Sequence, residues 1–215
     1  MQGTCAVSLL DGRTYDLPVL QILGGSLRSR RLQVPEGERT RPMGSRTKEA
    51  VFNMLRGWFE GARVLDLFAG VGTMGLEAAS RGASHVVCVE QDRSVGEFLQ
   101  ANIVALGCTD RVRWVKSDAL GPVAIAAAPT PVDVVFCDPP FALMQSDASR
   151  ARLLQQLTGL KAVMAQKSFL VLRVPEMRRA EDFAVAGFDG PEVHTYGREQ
   201  HVLLYMPSRE PAQES

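Results

Sequence analysis

Four carboxylates stand at or just beyond the ends of four apolar runs: Asp66 in "RVLDLF", Glu90 in "HVVCVE", Asp118 after "RVRWVK", and Asp138 after "VDVVFC". Asp138 opens an Asp-Pro-Pro-Phe turn. Pro139 and Pro140 bring no amide hydrogens and restrict φ, so backbone carbonyls there stay available as acceptors. A carboxylate beside a carbonyl forms an acceptor-only clamp for an NH₂ group, and Phe141 offers a flat apolar face on which a base can stack. An exocyclic amine is a poor nucleophile because its lone pair is delocalised into the ring. Two acceptors on its hydrogens favour the more pyramidal geometry needed for attack, so positioning and electrostatics can carry a group transfer to such a nitrogen. Cys137, which precedes Asp138, lies inside the apolar run and reads as a buried, inert thiol.

A second chemical feature is the glycine-rich turn of "VLDLFAGVGTMGLEAASRGA". Gly70, Gly72 and Gly75 are spaced G-x-G-x-x-G, and Glu90 follows Gly70 by twenty residues. Such glycines permit a tight turn and close approach of backbone amides to a ligand, while the acidic residue can accept hydrogen bonds from ribose hydroxyls. That spacing suits either a dinucleotide or another adenosine-bearing cofactor. Asp66 discriminates, because a carboxylate there would repel a pyrophosphate and attract an amino acid's ammonium group. The combination points to S-adenosylmethionine. Asp118 sits where an adenine amino group would need an acceptor, although an Asp after a strand also serves as an ordinary helix cap.

These side chains need strands to deliver them. Runs at 63–68, 85–90, 111–116, 132–137 and 168–174 alternate with helical patterns at 94–106 and 147–164, the signature of βαβ units and a mostly parallel sheet. In open α/β sheets ligands bind beyond the carboxyl ends of the strands, so Asp66, Glu90, Asp118 and Asp138 are expected to line one crevice. "EVHTYG" and "REQHVLLYMP" read as two further strands joined tightly at Gly197-Arg198, adding an antiparallel edge. Ahead of the sheet, "LQILGGSLRSRRLQVP" reads as a β-ribbon. A helix follows from about Ser45, its possible cap, with Val51, Met54, Leu55 and Trp58 on one face. Asp11-Gly12 is a hairpin signal, and "AIAAAPTP" (124–131) reads as a loop.

With 215 residues, 46% apolar and 22% charged, the composition fits one globular domain. The expected divisions are an N-terminal extension (1–19, a possible hairpin), a basic ribbon and helix (20–60), the main α/β domain (61–207) and a disordered tail (208–215). No apolar run approaches the roughly 18 residues of a membrane span, and no basic leader precedes an apolar stretch, so a cytoplasmic location is expected. The four cysteines and three histidines fall in no metal-ligand spacing, and no metal is expected. Net charge is zero, yet Ser26 to Lys48 holds Arg28, Arg30, Arg31, Arg39, Arg41, Arg46 and Lys48 against only Glu36 and Glu38. Such a cluster suits a nucleic-acid backbone, with each phosphate contact adding a log–log salt slope of about −0.7.

Taken in order, "ILGGSLRSRRLQVP", "TRPMGSRTKEAVFNML", "VLDLFAGVGTMGLEAASRGA", "VVCVEQD" and "CDPPF" resemble the RsmD-type bacterial 16S ribosomal RNA guanine-N2 methyltransferases. The resemblance runs from about Leu20 to Met206. It implies a Rossmann-like class I methyltransferase with a mostly parallel seven-stranded sheet, an antiparallel C-terminal edge, and a small N-terminal β-ribbon plus helix. It implies S-adenosylmethionine as cofactor and 16S ribosomal RNA in an assembled small-subunit particle as substrate. Independently of the resemblance, a monomer is the default expectation. Asp66, Phe68, Gly70 and Gly72 match the family's cofactor loop, Glu90 its ribose acceptor, Asp118 its adenine-side contact, and Asp138 to Phe141 its catalytic turn. Ala69, Gln91 and Ala119 complete the expected cofactor-lining set. Residues 1–18 look like an addition, and "MGS" at 43–45 departs from the family pattern, which leaves a cofactor contact by Ser45 open. The alternatives are an amino-methyltransferase acting on adenine N6 or a protein glutamine, a NAD-dependent oxidoreductase that would leave Asp66 and the proline turn without a role, and a non-catalytic RNA-binding protein.

Overall fold

The structure is a computed structural model that describes residues 4–8, 14–18, 20–35, 44–175, 177, 179–197 and 200–209. Strands β1 (Thr4–Ser8) and β2 (Thr14–Pro18) pair antiparallel as a small separate sheet. The Asp11-Gly12 turn, part of the Gly197-Arg198 connection and the tail from 210 onward lie outside the described residues.

Helix α1 (Ser45–Met54) leads into the main sheet, built from β3 (Arg63–Asp66), β4 (His85–Val89), β5 (Val112–Val115), β6 (Val132–Cys137), β7 (Met164–Val174), β8 (Phe188–Thr195) and β9 (His201–Pro207). Its order is β5-β4-β3-β6-β7-β9-β8. The first five in sequence run parallel, and β9 is antiparallel to both β7 and β8. The seven strands and the antiparallel edge agree with the sequence reading. The chain winds outward from β3 through β4 to β5, then returns to lay β6 on the other side of β3. This reversal opens a crevice above the carboxyl ends of β3, β4 and β6, the place where open α/β sheets bind ligands.

Helices cover both faces, so the inner strands read as unbroken apolar runs. Along β3, β4 and β6 successive residues face opposite cores. Val64, Val86 and Val134 join Val51, Phe52 and Leu55 from α1, Leu76 from α2 (Gly75–Ser80), and Leu99 and Ile103 from α3 (Arg93–Ala105). Leu65, Val87 and Val135 join Ala124 of the short α4 (Pro122–Ala126) and Leu153, Leu157 and Leu160 of α5 (Asp147–Leu160). Those three leucines are fully buried, and trimming any one to alanine would cost about 2–5 kcal/mol. Asp92 caps α3, its Oδ1 accepting from the Ser94 and Val95 amides at 2.7 and 3.1 Å. Gly107, at φ +66°, stops that helix in the left-handed conformation glycine favours.

Several boundaries differ from the sequence reading. The helical pattern at 147–164 ends at Leu160, a 3₁₀ turn (Lys161–Val163) follows, and β7 begins at Met164, which pairs with Val132. Ala124 to Ala126, read as loop, are helical. The expected ribbon over 20–35 has only the single antiparallel bridge between Gln21 and Arg31 around a turn at 26–29. Its ladder does not form because the amides of Leu23 and Gly24 donate to the Glu77 carboxylate at 2.7 and 2.8 Å. Gly25 sits so close to α2 that a Cβ there would meet the Ser80 carbonyl oxygen at 1.9 Å. Gly44, not Ser45, occupies the cap position of α1, with no side-chain cap.

Candidate active site

The glycine turn leaves β3 at Asp66 and enters α2 at Gly75. Gly72 needs its freedom twice over: φ is +94°, and a Cβ would meet Leu99 Cδ1 at 2.6 Å. At Gly75 a Cβ would meet Cys88 Sγ at 2.5 Å, so the third glycine lets α2 lie against β4. Gly70 is different. Its φ is +54°, and a Cβ would meet nothing within 4 Å, which leaves open space against the turn. Ala69 is buried, and its amide donates to Val89 O at 3.0 Å. Phe68 is half-buried against the core that α5 covers.

Asp66 is buried at the centre of this turn. Its Oδ2 accepts from the Gly75 amide at 2.9 Å, while Oδ1 is buried and has no hydrogen-bond partner among the described residues. Burial pushes this carboxyl up to about 7; the Gly75 amide pulls it down, and the neighbouring Asp138 and Glu90 carboxylates add to the rise. A buried acceptor lacking a donor is costly, and a cationic donor brought by a ligand would relieve it. Glu90, just past β4, is held by its own loop: Oε2 accepts from Gly70 N at 3.0 Å and Oε1 from Asp92 N at 2.8 Å. Trp114 Nε1 donates to the Glu90 carbonyl at 3.1 Å, steadying the same residue from β5. Gln91 is exposed beside it.

Asp138 follows β6, next to β3 in the sheet. Pro139 is buried and Pro140 exposed, and Phe141, 37% exposed, starts a 3₁₀ turn (Phe141–Met144). One expectation changes here. The Pro140 carbonyl accepts the Leu143 amide at 2.9 Å, so it is spent on the 3₁₀ turn, and the Pro139 carbonyl is the one that accepts no backbone donor among the described residues. Asp138 Oδ1 accepts a hydrogen bond from Arg173 Nε, near the end of β7. Burial raises the Asp138 carboxyl, and the Arg173 guanidinium opposes that rise by attraction and by the hydrogen bond. The same guanidinium lies 5.5 Å from the centre of the Phe141 ring, within cation–π reach. Burial pushes the Cys137 thiol far up, in keeping with an inert side chain.

Asp118 stands at the outer end of the crevice beyond β5. Its carboxylate is engaged locally, Oδ1 accepting from Leu120 N at 2.9 Å and Oδ2 from Arg152 Nη2 at 3.0 Å. Ala119 is buried, and its carbonyl accepts from Gln156 Nε2 at 2.9 Å.

The basic segment divides. Arg28, Arg31 and Arg46 are exposed. Arg30 is also exposed, and its Nη2 donates to Ala105 O at the end of α3 at 2.9 Å. Arg39 and Arg41 lie outside the described residues. Lys48 corrects the sequence reading: it is 5% exposed, its Nζ lies 3.2 Å from Glu77 Oε2, and it donates to Gln21 O at 2.9 Å. Counting charge along the chain cannot tell a surface lysine from one drawn inward by a buried carboxylate.

Glu77, fully buried on α2, is that carboxylate. It also pairs with Arg81 at 2.9 Å, and with its two amide bonds it straps the basic turn to α2. Asn102, buried on α3, forms a second strap. It accepts from Gln33 N at 2.7 Å and donates to Gln33 O at 3.0 Å and to Val71 O of the glycine turn at 3.1 Å. Arg173, Glu77 and Asn102 were not singled out by sequence. The available signal was a lone charged or polar residue inside an otherwise apolar pattern, as in "SFLVLRV" and "GLEAAS". Among the described residues no group of three or more His, Cys, Asp or Glu is arranged to hold a metal, and no helix is long and apolar enough to cross a membrane.

A family model described as "Conserved hypothetical protein 95" matches residues 20–202. The chain is 40% identical over 122 residues to the ribosomal RNA small subunit methyltransferase D of Escherichia coli K12; the match spans 57% of this chain and 60% of that one. A solved structure of a hypothetical protein from Thermus thermophilus superposes with a TM-score of 0.65 at 32% identity, covering 86% of this chain and 98% of the other. At 18% identity and a TM-score of 0.55, an RNA methyltransferase from Salinibacter ruber, solved with S-adenosyl-L-homocysteine, shares the fold over 81% of this chain and 99% of its own.

Proposed function

The chain belongs to the RsmD-type family described as "Conserved hypothetical protein 95", and from that premise we propose that it is an S-adenosylmethionine-dependent methyltransferase acting on the exocyclic N2 amine of a guanine in 16S ribosomal RNA. The observation that supports this reading best is the juxtaposition of two carboxylates at neighbouring strand ends, Asp66 buried and Asp138 partly so. Asp66 keeps an unpartnered oxygen for a cation, and Asp138 is already paired with Arg173.

The residues of the crevice fit the cofactor. Asp66 Oδ1 is an acceptor without a donor and suits the ammonium of a methionine moiety. Glu90 is braced by two backbone amides and retains lone pairs for ribose hydroxyls. The open side of Gly70 admits a ligand against the backbone. When bound, S-adenosylmethionine supplies an electrophilic methyl group on a sulfonium.

The chain's own part is positioning. Asp138 and the Pro139 carbonyl accept the two hydrogens of the amine and hold its nitrogen in the geometry of attack, and Phe141 stacks on the base. The nitrogen sheds a proton as it gains its new bond, and the hydrogen-bonded Asp138 carboxylate is its first acceptor. The low local dielectric strengthens these contacts because Asp66 is buried and Asp138 is mostly covered. Arg28, Arg31 and Arg46 supply exposed cations for the RNA backbone, and Glu77 ties the turn that carries Arg28 and Arg31 to α2.

An acceptor clamp beside an aromatic face would also admit adenine N6. The exposed arginines favour RNA, and the named activity of the E. coli relative favours the ribosomal small subunit. Incubation with methyl-labelled S-adenosylmethionine and purified small subunits, naked 16S RNA or small-subunit protein tests the reading. Label in the RNA is expected, and label only in protein, or in none of the three, would contradict it.

A further inference from the structure

Arg173 is an unusual residue for its position. In β7 its neighbours Leu172 and Val174 are fully buried in the core that α5 covers, so Arg173 projects to the other face of the sheet, at the crevice end of the strand. Its side chain is only 6% exposed. A guanidinium is not buried without a partner, and among the described residues its hydrogen-bond partner is Asp138 Oδ1, thirty-five residues away in sequence. The side chain of Asp138 is 15% exposed, and its Oδ2 accepts no hydrogen bond from another described residue. Phe141 completes the cluster, its ring within reach of the same guanidinium. One planar cation therefore engages both the acceptor and the stacking face of the Asp-Pro-Pro-Phe turn.

We infer that Arg173 is a positioning residue for the transfer: it holds Asp138 in the rotamer and the charged form in which Oδ2 accepts a hydrogen from the incoming amine, and it orients Phe141. The inference rests on the proposed methyltransferase reading and assigns it a residue outside the Asp-Pro-Pro-Phe motif. The charged or titratable groups facing Asp138 are Arg173 on β7, Asp66 at the end of β3, and the Cys137 thiol on β6, which burial keeps neutral. Of these only Arg173 favours the charged carboxylate. Burial works against it. Removing Arg173 leaves that opposing influence in place, so the Asp138 carboxyl titrates at higher pH and the acid limb of activity moves the same way.

The test compares wild type, Arg173→Lys and Arg173→Met in two measurements. The first is single-turnover methyl transfer to small subunits across pH; the second is an NMR titration of the ¹³C-labelled Asp138 carboxyl, which needs no substrate. Arg173→Met is expected to slow transfer on the order of 10- to 100-fold, the scale of a misaligned reacting group, with cofactor affinity unchanged. Its acid limb and its Asp138 titration both move to higher pH. Arg173→Lys recovers part of the rate and returns the limb toward wild type. In an Asp138→Ala background, Arg173→Met costs less than it does alone, because the part of its effect that passes through Asp138 is already lost. Should Arg173→Met fail to fold, the lysine variant still decides, since a point charge without the planar fork is expected to preserve the titration better than the rate. An active wild type whose Asp138 titration and pH profile are unmoved in Arg173→Met, or, where that variant does not fold, whose rate is unmoved in Arg173→Lys, overturns the inference alone. A wild type that transfers no methyl group overturns the functional reading and, with it, the role in transfer.

Discussion

The glycine turn and the proline turn each end a central parallel strand with a carboxylate drawn in from solvent, fully at Asp66 and mostly at Asp138, yet the two carboxylates are provisioned differently. Among the described residues Asp66 has one amide bond, no cation, and an oxygen with no partner. Asp138 has Arg173 built into the next strand. Glu77, beneath the basic turn, extends the series with Lys48, Arg81 and two backbone amides. None, one and two internal cations match three jobs. A site that receives a cation from a ligand must leave its charge uncompensated. A site that presents an acceptor to a neutral amine must be charged before the amine arrives. A strap has no ligand to await and satisfies itself completely.

Glu77 lies at the fully paired end, so its removal tests the series most harshly. Glu77→Ala leaves Lys48 and Arg81 without their carboxylate and is expected to cost about 3–5 kcal/mol of stability, read from urea unfolding. A loss well under 1 kcal/mol would show that the strap is incidental. Asp138→Ala comes next: transfer slows on the order of a hundredfold or more, while calorimetry finds cofactor affinity close to wild type. Near-normal turnover would erase the distinction between the two turns.

Asp66→Asn should reverse that pattern, weakening cofactor binding on the order of tenfold while leaving transfer at saturating cofactor much less affected, as expected when an interaction serves ground state and transition state alike. Its pH dependence follows from the raised carboxyl. The ammonium prefers the ionised Asp66, so wild-type affinity is full above about 7 and falls as pH drops through that value, whereas Asp66→Asn is flat there. Stability of the cofactor-free protein runs the opposite way. The folded state binds the Asp66 proton more tightly than the unfolded chain does, so this contribution is present at acid pH and is lost as pH rises from the ordinary carboxylate range through about 7. A thermal melt that shows no such fall attributable to Asp66 would count against its isolation. The smallest effect belongs to the basic turn. Replacing Arg28 or Arg31 with alanine should weaken RNA binding modestly and flatten the log–log salt slope by about 0.7 for each phosphate left unneutralised.

Much of this site was legible in sequence because its parts are local. An apolar run followed by Asp66 and three glycines specifies a strand, a turn and a helix within about a dozen residues. Alternating apolar runs then place Glu90, Asp118 and Asp138 at one end of one sheet. What escaped were pairings between distant residues. "SFLVLRV" shows that Arg173 interrupts a strand, but nothing in that segment names Asp138 as its partner. Seven positive residues in one stretch suggested a uniform surface, whereas Glu77 draws Lys48 inside and takes the amides of Leu23 and Gly24 that a ribbon would have used in its ladder. The Asp118 carboxylate, equally consistent in sequence with an adenine contact or a cap, is engaged by Leu120 and Arg152.

The most direct test of the account is nucleoside mass analysis of small-subunit RNA after incubation with the protein and isotopically labelled S-adenosylmethionine. The expected product is labelled N2-methylguanosine, formed by wild type and strongly reduced with Asp138→Ala. Labelled N6-methyladenosine in its place, or N2-methylguanosine formed equally well without Asp138, would contradict it.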